Sequence, residues 1–60
     1  MTNTDRVRRK YITLLKGIQE ALESLEAKNS TGVMDALEAT IQAAQDLCMT
    51  AEEIIDELSD

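Results

Sequence analysis

Sixty residues and 6.7 kDa, 43% of them hydrophobic, with one aromatic side chain and a net charge of −6, leave room for one small domain, residues 1–60. A chain this short buries only roughly 60% of the surface its unfolded form exposes, so its core is marginal without a disulfide, a metal or another subunit. One cysteine and no histidine supply the first two poorly, which leaves well-packed helices, a second chain, or both.

The chain has no proline and two glycines, is rich in Ala, Leu, Glu, Ile and Gln, and has few strand formers, so it reads as all-α. Its hydrophobic content is too high for a disordered acidic tail, and its longest apolar run falls far short of the ~18 residues that span a bilayer. Arg6, Arg8, Arg9 and Lys10 precede a short apolar stretch, Tyr11 to Leu15, but Lys16 ends it and no small-residue cleavage site follows. A cytoplasmic protein with a reduced thiol is expected, and the compact, proline-free chain suits a bacterium or phage.

In chain order, Thr2-Asn3-Thr4-Asp5 offers cap chemistry that starts a first helix within residues 2–5, predicted over about 4–28. The one strong break is Asn29-Ser30-Thr31-Gly32, a predicted turn over 29–32. Asn29 is suited to the left-handed position after the first helix, and Ser30 or Thr31 to capping a second helix over about 32–58.

The apolar positions Val7, Tyr11, Leu14, Ile18, Ala21 and Leu25 are spaced 4, 3, 4, 3, 4. Met34, Leu37, Ile41, Ala44, Cys48, Ala51, Ile55 and Leu58 are spaced 3, 4, 3, 4, 3, 4, 3, so both segments carry heptad stripes. A short turn makes the helices antiparallel. Pairing residues whose numbers sum to 62 then sets Leu25 on Leu37, Ala21 on Ile41, Ile18 on Ala44, Leu14 on Cys48, Tyr11 on Ala51 and Val7 on Ile55. Four of these six layers put a large side chain against a small one. The expected fold is an antiparallel, coiled-coil-like two-helix hairpin that completes a four-helix bundle by dimerisation or by docking on a partner.

Charge agrees with a hairpin. All six basic residues lie in the first 28 positions, and eight carboxylates without a cation follow Gly32. Cations crowd one helix N-terminus, and Glu52, Glu53, Asp56, Glu57 and Asp60 crowd a C-terminus, each against its own dipole. A hairpin places these ends side by side, with Arg8 expected beside Glu52 and Arg9 or Arg6 near the neighbouring acids. The same pairing is available between two chains.

The residues show no catalytic constellation, and neither a cofactor nor a metal is expected. Without histidine, hydrolysis needs a Ser, Thr or Cys with a lysine or terminal amine, or a carboxylate pair in a cleft, and a two-helix hairpin has no cleft. Glu52, Glu53, Asp56 and Glu57 read as a solvated acidic face rather than a divalent-cation site. Cys48 reads as a small core filler opposite Leu14, Tyr11 as a side chain layered over Ala51, and Gly17 as a point of close approach opposite Leu47. The Arg6–Lys10 cluster has phosphate-binding chemistry, but no stacking aromatics accompany it and the chain is acidic, so nucleic acid is not the expected partner.

Apolar residues left over from the stripes are Ile12, Leu15 and Leu22 on one flank and Val33, Leu47 and Ile54 on the other, widened by Ala36 and Ala43. They are expected to bind a protein partner, a second copy included. In length and heptad layout the chain resembles small helical-hairpin proteins, among them the plasmid RNA regulator Rop, a dimeric four-helix bundle, and the co-chaperones of type III secretion needle subunits. No family motif accompanies that likeness, and no functional position follows from it. The expectation is a non-enzymatic interaction module, an adaptor, co-chaperone or small regulator. Two alternatives are an acidic decoy for a nucleic-acid-binding protein and a Rop-like RNA binder using the basic cluster.

Overall fold

The computed structural model describes residues 2–59. Two helices, α1 (Asn3–Glu26) and α2 (Ser30–Leu58), pack on each other as an antiparallel hairpin 49 Å long. Thr2 caps α1: its hydroxyl oxygen accepts the Asp5 amide at 3.1 Å, and Asp5 adds a carboxylate to the positive end of the helix dipole.

The turn is tighter than the sequence suggests. The Asn29 amide donates to the Ser24 carbonyl at 2.9 Å and the Lys28 amide to the Leu25 carbonyl at 3.1 Å, the paired bonds of a Schellman motif. That geometry demands a left-handed residue, and Lys28 takes it at φ 56°. Asn29, expected there, is instead extended and caps α2, its side-chain oxygen accepting the Gly32 amide at 3.1 Å. One residue thus closes α1 and opens α2. The first helix ends at Glu26 rather than near 28, and the second starts at Ser30 rather than near 32. Neither Ser30 nor Thr31 is the cap.

The seam also differs from the expected one. Lys10 Nζ meets Asp46 Oδ2 at 2.6 Å, Arg6 Nη2 meets Glu53 Oε2 at 2.9 Å, and Asn3 Nδ2 donates to Glu57 Oε2 at 3.2 Å. Gly17 lies against Thr40, not Leu47. Cross-helix neighbours therefore have numbers summing to 56–60, not 62. Both helices are rotated so that the positions between them are Val7, Lys10, Leu14, Gly17, Ala21 and Ser24, facing the 3-4 series from Val33 through Thr40 to Ile54.

The cause is the size of these side chains. A Cβ at Gly17 would overlap Thr40 Oγ1 and come within 3.3 Å of Thr40 Cα, and that hydroxyl is held by donating to the Ala36 carbonyl at 2.7 Å. Small residues let the backbones approach until the helix surfaces interlock. Gly17, Ala36 and Thr50 are the buried positions among the described residues, and no large side chain among them is fully buried. Tyr11, Ile18, Leu25, Met34, Leu37, Ile41, Cys48, Ile55 and Leu58, all on the predicted heptad stripes, are exposed. Cys48 is therefore not a core filler opposite Leu14, and Tyr11 is not sealed over Ala51.

Two substitutions test this geometry. Gly17→Ala should lower stability by about 1–2 kcal/mol in chemical denaturation despite its better helix propensity, because overpacking outweighs it. Adding Thr40→Ala should recover most of that loss, and a double variant no better than the single one would contradict the close approach. Lys28→Gly should raise stability by about 0.5–1 kcal/mol, since glycine adopts the left-handed position without a Cβ penalty.

Candidate functional site

The small-residue seam leaves the large side chains on one side of the hairpin. Moving around α1 from Val7, Leu14 and Ala21 leads to Tyr11, Leu15, Ile18, Leu22 and Leu25, all exposed. The matching step on α2 leads to Leu37, Ile41, Cys48, Ile55 and Leu58, also exposed. Surface hollows at the two ends of the hairpin bring the two rows onto one face, and a third runs along α2 between them. Val7 and Tyr11 border Ile54 and Leu58 at the open end, Ile41, Ala44 and Cys48 line the middle of α2, and Leu25 adjoins Val33 beside the turn.

The opposite face is polar. Arg6, Arg9, Lys10 and Thr13 meet Asp46, Thr50 and Glu53 there, and it carries the Arg6–Glu53 and Lys10–Asp46 ion pairs. The hairpin as a whole is amphipathic, charged on one broad face and apolar on the other.

The residues expected to bind a partner divide between two places. Leu15 and Leu22 lie on the apolar face, at 42% and 56% exposure, while Ile12, at 46%, stands further round the outer side of α1. Val33, Leu47 and Ile54 are half-buried between the helices, as is Ala43, and Ala36 is buried. Sequence reasoning missed that Tyr11, Ile18, Leu25, Leu37, Ile41, Ile55 and Leu58 belong to the exposed face, although the signal was present: these are the heptad stripes themselves.

The acidic residues divide as well. Glu53 is held by Arg6 and Glu57 accepts from Asn3, whereas Glu52 and Asp56 have no cation within ion-pair distance among the described residues. Asp60 lies outside the described residues. Arg8 pairs with Asp5 at 3.5 Å on its own helix rather than with Glu52. Among the described residues no three acidic or cysteine side chains converge into a cluster able to hold a metal ion, and no described helix is long and apolar enough to cross a membrane.

No protein-family model matches the chain, and no curated protein or solved structure is significantly similar to it.

The last turn of α2 contains no basic residue, so its carboxylates oppose the helix dipole. Asp56→Lys should therefore raise the midpoint of thermal unfolding at low salt, by about 0.5–1 kcal/mol of stability, with the gain shrinking as salt is added. An unchanged midpoint at low salt would show that the dipole at this end is already compensated.

Proposed function

We propose that the chain is a non-enzymatic protein–protein interaction module, a small cytoplasmic adaptor, co-chaperone or regulator that acts by helix-on-helix docking through its apolar face. The observation that carries this reading is the mismatch between what the hairpin buries and what it leaves in water. Among the described residues its seam buries only Gly17, Ala36 and Thr50, while Ile41, Leu25 and Leu58 remain 57%, 63% and 77% exposed. Full burial of each such side chain is worth about 1.5–3 kcal/mol, so covering the face supplies the stabilisation that a chain of this size lacks. The acidic surface of α2 favours approach by basic surfaces and acts on association rate more than on affinity. A decoy that presents Glu52, Glu53, Asp56 and Glu57 as substitute phosphates has less support, because Arg6 and Asn3 already engage two of the four.

The test follows helicity and sedimenting mass together across a wide dilution series. Docking expects helix content and melting temperature to rise with the concentration of the chain or of an added helical partner. Leu15→Glu with Leu22→Glu should abolish that rise, and Glu52→Gln with Asp56→Asn should leave it intact at moderate salt. A chain that stays monomeric, fully helical and equally stable at every dilution, with or without a helical partner, would overturn the reading. Association lost through the carboxamide substitutions and by added salt would transfer it to the acidic face.

A further inference from the structure

The apolar face raises the question of which helices cover it, and the amount of exposed surface, the layer matching and the charge distribution answer together. The chain exposes 4809 Å². A compact monomer of this mass exposes about 3,900 Å², so the hairpin carries an excess of roughly 900 Å². A standard protein interface buries about 800 Å² on each partner, so one hairpin-sized contact absorbs the excess.

Two copies can stack their apolar faces symmetrically in two ways. With the twofold axis along the helices, both turns lie at one end and α1 of each copy runs antiparallel over α2 of the other. With the axis across the helices, the turns lie at opposite ends, α1 meets α1 and α2 meets α2. Charge distinguishes them. Within its bounds α2 carries seven carboxylates and no cation, while α1 carries five cations and four carboxylates. The second arrangement lays two wholly acidic helices along each other; the first flanks every α2 with α1 on both sides.

Packing is consistent with the first arrangement. A twofold axis along the helices preserves height, so a residue of α1 meets the α2 residue of the second copy that stands at the level of its own α2 neighbour. With the observed sums of 56–60, Tyr11 stands level with Cys48, Ile18 with Ile41 and Leu22 with Leu37 of the second copy, so exposed apolar side chains meet apolar ones along the face. We propose that the apolar face is covered by a second copy of this chain, seated with its turn at the same end, so that α1 of each copy packs antiparallel on α2 of the other.

The proposal rests on the docking reading and names its occupant. It is tested by sedimentation equilibrium on the unaltered chain and by spin-label distance measurement on Thr31→Cys in a Cys48→Ala background, Thr31 being exposed beside the turn. A dimer with labels no further apart than the width of a four-helix bundle, about 20–30 Å, is the expected result. A dimer whose labels are separated by nearly the 49 Å hairpin length would overturn the arrangement and leave docking standing. A monomer that gains helix only when a different helical protein is added would overturn the second copy but not docking. A monomer fully helical and equally stable at every dilution would overturn both.

Discussion

The close approach of α1 and α2 at Gly17 and Thr40 sets the rest of the architecture. At that separation the seam accommodates glycine, alanine, serine and threonine, and the larger seam residues, Val7, Leu14, Leu47 and Ile54, reach it only partly. The larger side chains must then stand beside the seam, and the 3-4 spacing of both helices gathers them on one side. A seam of leucines would hold the backbones further apart and use up the apolar residues inside the hairpin. The seam of small residues instead makes the pair of helices a single amphipathic body. The hairpin is a single layer with its apolar face uncovered, and the proposed docking supplies the second layer.

The sequence made the element types and their number legible. Absence of proline, helix-forming composition, a single cluster of turn residues and two uninterrupted heptad patterns left little besides two helices and a short connection. The rotation of the helices was not legible in the same way. Large apolar residues dominate any reading of periodicity, so the stripes through Ile18 and Ile41 read as facing each other, and nothing in the pattern singles out Lys10, Ser24, Thr40 and Thr50 as seam positions. Two helices have two usable apolar arcs each, and the hydrophobic pattern does not say which arc is turned inward. Gly17 did carry that information, because a mid-helix glycine costs about 1 kcal/mol and close packing repays it. A register set by the large residues puts Gly17 opposite Leu47, whereas its neighbour is Thr40. The turn failed on a smaller scale for a similar reason: asparagine tolerates the left-handed conformation well, but its side chain is also the better helix cap, and here capping α2 left the left-handed position to Lys28.

Charge defines orientation rather than supplying the bulk of stability. The Arg6–Glu53 and Lys10–Asp46 pairs lie on the polar face, with their side chains about a third to three-fifths exposed, where ion pairs contribute about 0–1 kcal/mol each. They link the cationic start of α1 to the acidic second half of α2, and this keeps like charges from lying together at the open end. The same asymmetry continues around the molecule. Because α2 has no cation of its own, any helix packed along it is better tolerated if it resembles α1 than if it resembles α2, whether that helix belongs to the same chain or to another.

Seam and face also differ in how a substitution acts. A change at Gly17, Ala36 or Thr40 alters the contact between the two helices of one chain, so its effect on folding is independent of concentration. A change at Ile18, Leu22 or Ile41 leaves that contact in place and alters only what the face binds, so its effect scales with the concentration of whatever covers it. Under the proposed docking, binding at the face supplies part of the folding free energy, and the apparent stability of the hairpin becomes a measure of occupancy. Folding and recognition are then one equilibrium, governed on one side by the fit of Thr40 against Gly17 and on the other by how many of the exposed leucines and isoleucines are taken out of water.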